Sequence, residues 1–321
     1  MHGRGFAALI AAFFSISAGA QTAPAGPQVP LVSVDGMCVR LGARLPGTGT
    51  RDCEAAELRP AATTSVQGLP ILLRDFAPRT PRARKPPRIL LVGGIHGDEL
   101  TSTSIVFEWM QHLARARFQP FAWRVVPCLN PDGMLGTSAR RVNANGVDLN
   151  RNFHTPDWSL QALPYWKRET ASDPRRYPGP RPFSEPEARW LAAEIRRYQP
   201  DAVVQVHAPF GLLDYDGPRR PPAQLGFLHL RLLGVYPGSL GNYAGLFLKL
   251  PVLTLELPNS LEMPRPGEVD RVWADLLSWL DDHLAEHTPL EAAPPLPSPN
   301  ASAPPWITVL RGIGDFSDSP P

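Results

Sequence analysis

Four continuous apolar runs constrain this chain more than any other feature: residues 88–95 (RILLVGGI), 122–129 (AWRVVPCL), 201–207 (DAVVQVH) and 252–257 (VLTLEL). A strand with one wet face alternates polar and apolar residues, so runs without alternation suit strands covered on both sides. Between the first two, residues 101–117 carry Ile105, Trp109, Leu113 and Ala116 at helical spacing. A second amphipathic stretch, 268–286, carries Val272, Leu276, Trp279, Leu280 and Leu284. Ser184-Glu185-Pro186-Glu187 reads as a capping box, with Ser184 as N-cap and Glu187 reaching back, opening a helix to about Tyr198. Strands alternating with helices predict an α/β fold: a mixed, largely parallel central sheet with helices on both faces. Shorter strands are expected at 32–39 and 68–75. In such sheets ligands gather beyond the carboxyl ends of the strands.

Proline locates the segments outside this framework. The chain of 321 residues holds 39 prolines, about one in eight against a usual one in twenty. Residues 88–155 contain only Pro120, Pro127 and Pro131, whereas 156–186 contain seven and the chain from 289 onward contains nine. Proline removes a backbone donor and resists element interiors. Residues 156–186 are therefore expected to form a long surface loop near the cleft, and 288–321 a disordered extension. Residues 1–20 have the form of a secretory signal: Arg4, an apolar run from Phe6 to Ala18, and small residues Ala18-Gly19-Ala20 before Gln21. That run is too short to span a bilayer core of ~30 Å as a helix. The expected product is periplasmic or secreted, without a stable membrane anchor. Residues 21–87 form an N-terminal strand and loop segment in which Cys38 and Cys53 could pair in an oxidising compartment. Residues 88–287 are expected to form the main α/β domain, and Cys128 reads as a buried thiol. The net charge of +2, from 32 basic and 30 acidic residues, supplies no electrostatic reason for a nucleic-acid partner.

Polar residues at the strand ends carry the chemistry. His96-Gly97-Asp98-Glu99 follows the first run directly, and His96 and Glu99, three apart, can converge on a metal. His207 ends another apolar strand. Two histidines and one carboxylate leave a coordination position open for water, the pattern of a catalytic zinc. Glu256 interrupts the apolar run 252–257, where an unpaired carboxylate is costly to bury; beside activated water it can act as a general base. Residues 140–153 (RRVNANGVDLNRNF) combine three arginines with four asparagines, a composition that suits an anion-reading loop. Asp214 and Asp216 suit either a turn or the reading of a substrate amino group.

His96-x-x-Glu99, Asn130-Pro131-Asp132-Gly133, Arg141-x-Asn143, Asp148-Leu149-Asn150-Arg151-Asn152-Phe153, His207 and Glu256 occur in an order that resembles the zinc carboxypeptidase family. The resemblance spans about 88–285. It implies one zinc held by His96, Glu99 and His207, with Glu256 as general base and Arg141 polarising the scissile carbonyl. It also implies that Asn150 and Arg151 bind the substrate's terminal carboxylate and that Asp148 orients a zinc-bound histidine. Tyr243 is the candidate for the tyrosine that the family places before its general base. Ser184–Glu187, Gln199-Pro200, 236–241 (YPGSLG) and 255–258 (LELP) are similar to members that cleave γ-D-glutamyl-meso-diaminopimelate in cell-wall peptides. The expected activity is zinc-dependent hydrolysis of an amide next to a free-carboxylate residue, with a peptide substrate of cell-wall origin. The competing readings are an N-acyl amino acid deacylase of the aspartoacylase and succinylglutamate desuccinylase type, and a catalytically silent wall-binding protein.

Overall fold

The computed structural model describes residues 32–79 and 85–284. The expected leader, 1–20, and the proline-rich tail from 288 lie outside the described residues. Two short helices open the described chain, α1 (Val34–Arg44) and α2 (Thr50–Ala55). A Cys38–Cys53 disulfide joins them. The strand expected at 32–39 is thus helical. Ser33 caps it by accepting the Gly36 N–H at 3.1 Å, and Met37, Cys38 and Leu41 turn inward while Val39 stays 56% exposed. The short valine alternation belonged to a 3.6-residue period.

Next come strands β1 (Arg59–Thr64), β2 (Pro70–Phe76) and β3 (Arg88–Val92), helix α3 (Leu100–Arg115), strand β4 (Ala122–Val126) and helices α4 (Pro131–Leu135), α5 (Trp158–Glu169) and α6 (Pro186–Tyr198). Strands β5 (Ala202–His207), β6 (Leu212–Asp216), β7 (Gln224–Leu225) and β8 (Leu228–Leu230) follow, then a π-helical segment (Gly241–Phe247), strand β9 (Val252–Glu256) and helix α7 (Pro266–Leu284). The strands form one sheet in the order β1-β2-β4-β3-β5-β9-β6-β8-β7. Its centre, β4-β3-β5-β9, is parallel, and β2 and β6 flank that centre antiparallel. The boundary expected at residue 87 therefore runs through the sheet, because β1 and β2 belong to it.

Both faces are covered, as the continuous runs require. Ile89, Leu91, Val125, Val204, Val206, Leu253 and Leu255 pack in a core shared with α1, α3 and α7. Leu90, Val92, Val126, Val203 and Val252 pack with α6 and the π-helical segment. Each fully buried aliphatic side chain contributes ~2 kcal/mol of transfer free energy. No helix among the described residues is long and apolar enough to cross a membrane.

Two local expectations change, at 156–186 and at the capping box. Residues 156–186 are not one loop, since α5 runs through Pro164; the missing N–H costs that helix one bond and does not end it. Asn130-Pro131-Asp132-Gly133 opens the one-turn helix α4, where the Asn130 side chain accepts the Gly133 N–H at 2.9 Å and proline occupies the first turn. The capping box does not form. Helix α6 begins at Pro186 behind Glu185, and the Ser184 hydroxyl donates to Glu185 at 2.7 Å. Glu187 instead accepts the Val66 N–H at 3.2 Å.

Candidate active site

The loop after β3 carries His96 and delivers Glu99 to the start of α3. Gly97 lets this loop lie on α4: a Cβ there would fall 2.3 Å from the Gly133 carbonyl carbon and 2.4 Å from the Met134 nitrogen. His207 is the last residue of β5, and the sheet register sets it opposite Glu256 on β9. Strand ends far apart in sequence thus bring three buried groups together. His96 Nδ1 lies 2.8 Å from Glu99 Oε1, His207 Nδ1 lies 3.0 Å from Glu99 Oε2, and the two Nδ1 atoms are 3.1 Å apart.

The outer ring nitrogens test whether this cluster fits a metal. His96 Nε2 faces Asp148 Oδ1 at 3.1 Å, and His207 Nε2 faces Gln205 Oε1 at 3.3 Å. Both partners are acceptors, so both outer nitrogens are the N–H donors and both Nδ1 lone pairs point inward. Two lone pairs and a carboxylate crowded in a buried space repel one another without a cation. The donor set suits zinc, which takes imidazole nitrogen and carboxylate oxygen. A second group within reach of a cation, Glu108, His112 and Asp270, differs in kind. It is partly exposed, and a 3.3 Å His112–Asp270 ion pair accounts for its closeness.

Arg141 and Asp148 brace the cluster. Asp148 has no exposure; its Oδ2 accepts Arg141 Nε at 3.0 Å. Arg141 Nη1 stands 3.5 Å from Glu99. Burial opposes ionisation of Asp148, but Arg141 and His96 hold its carboxyl well below the usual range. Of the two adjacent arginines, Arg141 enters the cleft while Arg140 faces solvent. Glu256 is buried and its Oε2 accepts no hydrogen bond. Burial, and next the charge of Glu99, push its carboxyl well above the ordinary value.

His96, Glu99, Arg141, His207 and Glu256 line a cleft of about 530 Å³ together with Asn150, Arg151 and Tyr236. Asn150 Oδ1 accepts the Leu240 N–H at 2.8 Å, and the Arg151 guanidinium lies 4.4 Å over the Tyr236 ring. Tyr243 is not brought here. Its ring is fully buried and stacks on Phe153 at 5.6 Å, and its hydroxyl accepts Arg196 Nε at 3.1 Å. The π-helical segment turns it into the core, and Tyr236 is the tyrosine at the cleft wall. The signal for Tyr236 was its place in 236–241 (YPGSLG), where Gly238 adopts φ +78° and turns the chain against Arg151.

A buried two-histidine, one-carboxylate cluster beside the buried Glu256 carboxyl, at the carboxyl edge of a mixed α/β sheet, has the donor set and position of a metallohydrolase site. The chain belongs to the zinc carboxypeptidase family, whose sequence profile matches residues 57–216. It is 34% identical over 200 residues to murein peptide amidase A of Escherichia coli (strain K12), covering 59% of this chain and 79% of that protein. It is 32% identical over 187 residues to murein peptide amidase A of Vibrio campbellii, covering 53% and 69%. In fold it is similar to carboxypeptidase A from Helicoverpa armigera, with a TM-score of 0.51 at 17% identity, covering 68% of this chain and 67% of that one.

Proposed function

We propose that the protein is a zinc-dependent amidase acting on cell-wall peptides, cleaving γ-D-glutamyl-meso-diaminopimelate, and that it works in the periplasm or outside the cell. His96, Glu99 and His207 hold the zinc. A zinc ion held there supplies Lewis-acid chemistry, acidifying water and polarising a carbonyl. Glu256 takes the proton of the attacking water and returns it to the departing nitrogen. Arg141 lies at the cleft wall 3.5 Å from Glu99 and stabilises the oxyanion as charge develops. Asp148 fixes the His96 ring through its Nε2–H, keeping Nδ1 free as a ligand. Asn150 and Arg151 bind the carboxylate of the leaving residue.

One observation carries the reading: Glu256 Oε2, buried and unpartnered, stands opposite His207 in the sheet register. A buried carboxylate oxygen without a donor is expensive unless it serves a reacting proton. The similarity to murein peptide amidase A supports the substrate. Metal analysis and digestion of purified muropeptides test the reading. The expected results are one zinc per chain, loss of turnover on chelation, and release of diaminopimelate. Glu256→Gln should lower kcat by roughly 10²–10⁴-fold with zinc retained. Turnover of N-acyl amino acids alone, or unchanged kcat in Glu256→Gln, refutes it.

A further inference from the structure

Helices α3 and α7 meet at a second hollow, on the opposite edge of the sheet from the cleft. Strands β3 and β4 are parallel, so α3 must carry the chain back from the carboxyl edge, where Glu99 sits, to the amino edge. It does so over 16 residues, about 24 Å. Its last turns, residues 116–121 and the start of β4 enclose, with α7, a groove of about 220 Å³. Leu113, Phe121, Trp123, Trp273 and Leu277 line it. The Trp123 ring stands edge-on to Phe121 at 6.2 Å and tilted to Trp273 at 5.2 Å. Phe118, 52% exposed, brings this aromatic lining out to the surface. The groove is smaller than the roughly 300–1,000 Å³ of a small-molecule pocket, and its walls suit one or two apolar side chains. Apolar concavities of this kind mark interaction sites.

The chain leaves α7 beside this groove. Asp281 lines it, and α7 ends at Leu284, about 4.5 Å further along the helix axis. The sequence that follows changes character at residue 306. Residues 285–305 carry seven prolines and no Phe, Trp or Tyr, whereas 306–310 read Trp-Ile-Thr-Val-Leu. A segment that serves only to solvate has no use for a tryptophan among β-branched residues, and tryptophan is the residue most enriched where binding energy concentrates. A flexible spacer as long as 285–305 spans about 25 Å. It presents what it tethers at an effective concentration in the millimolar range, which a separate partner rarely reaches.

We infer that Trp306–Leu310 seats in the groove between α3 and α7 of its own chain, with the Trp306 indole inserted against Phe118 and Trp273. Burying an indole removes ~150–250 Å² from water, and the segment then clasps the two helices at the edge remote from the reacting residues. The clasp acts on stability and leaves the cleft untouched, whatever the cleft hydrolyses.

The test uses the full-length protein. Trp306→Ala, Phe118→Ala and the double variant are compared by thermal denaturation, and a photoreactive benzophenone side chain placed at position 306 is cross-linked and mapped by mass spectrometry. Each single substitution should lower the melting temperature by roughly 2–6 °C. The double variant should fall no further than the larger single effect, because both substitutions remove one contact. Cross-links should join position 306 to residues 112–123 or 273–281 of the same chain. An unchanged melting temperature in Trp306→Ala, or effects that add in the double variant, overturns the inference. Cross-links elsewhere, or none, overturn it as well, and cross-links between chains assign the groove to a second copy instead. Should Phe118→Ala fail to fold, the Trp306→Ala shift and the cross-link map decide.

Discussion

Glu187 offers the sharpest test of the packing that supports the site. It is fully buried at the start of α6, where Val66 N–H donates to Oε1 at 3.2 Å and Asn143 Nδ2 to Oε2 at 3.3 Å. Its other close polar company is acidic. Glu185 shares the Asn143 amide at 2.7 Å, and Asp132, which accepts Ser65 and Gln67, adds a like charge. Burial first, with Asp132 adding to it, pushes the Glu187 carboxyl from 4.5 up to about 7. Below the unfolded value the group is neutral in both states and costs nothing. Between the two values the folded chain keeps a proton that the unfolded chain has released, so stability falls as pH rises. Above about 7 both states are ionised and the loss is complete, at about 3 kcal/mol from a shift of this size.

Glu187→Gln removes the titration. It also leaves Asn143 Nδ2 facing an amide, and Asn143 cannot turn over because its Oδ1 accepts both Asn145 and Val147 N–H groups. That loss costs about 1 kcal/mol at every pH. Urea denaturation of wild type and Glu187→Gln from pH 5 to pH 8 should give curves that cross near about pH 5, with the variant more stable by about 2 kcal/mol at pH 8. Taking the difference between the two proteins cancels every other titrating group, including the metal ligands. A difference that stays flat over this range, or that favours wild type as pH rises, refutes the reasoning.

Three further outcomes follow from the structure. Tyr236→Ala should raise KM several-fold by removing the surface that positions Arg151, whereas Tyr243→Phe should leave steady-state kinetics unchanged and cost about 1 kcal/mol in denaturation through its lost Arg196 bond. Gly97→Ala should weaken zinc binding in competition with a chelator and lower kcat at least tenfold, because its Cβ would meet the Gly133 and Met134 backbone. Replacing Cys38 and Cys53 by alanine opens a bridge of sequence separation 15 and should cost ~3 kcal/mol in denaturation, with kcat preserved in the folded fraction.

The candidate metal cluster was legible because of where its residues fall on parallel strands. A polar residue that follows or ends an uninterrupted apolar run has to emerge at the carboxyl edge of the sheet, and His96, His207 and Glu256 each do so. Arg141 and Asp148 were legible only through the family order, since no periodicity joins a loop residue to the histidine it braces. The N-terminal helices were hidden by a window of eight residues too short to separate period two from period 3.6. Tyr243 misled because distance along the chain from Glu256 says nothing of which way a π-helical turn points. Asp214 and Asp216 show the remaining difficulty most clearly. The sequence 212–217 (LLDYDG) resembles a turn, yet it forms β6, which runs antiparallel to β9 and so reverses the rule that served for the histidines. On that strand the edge position falls to Leu212, and the carboxylates that follow it descend into the cleft. The same polar-after-apolar pattern falls at the carboxyl edge on a parallel strand and along the cleft floor on an antiparallel one, and only the pairing of β6 with β9 tells them apart.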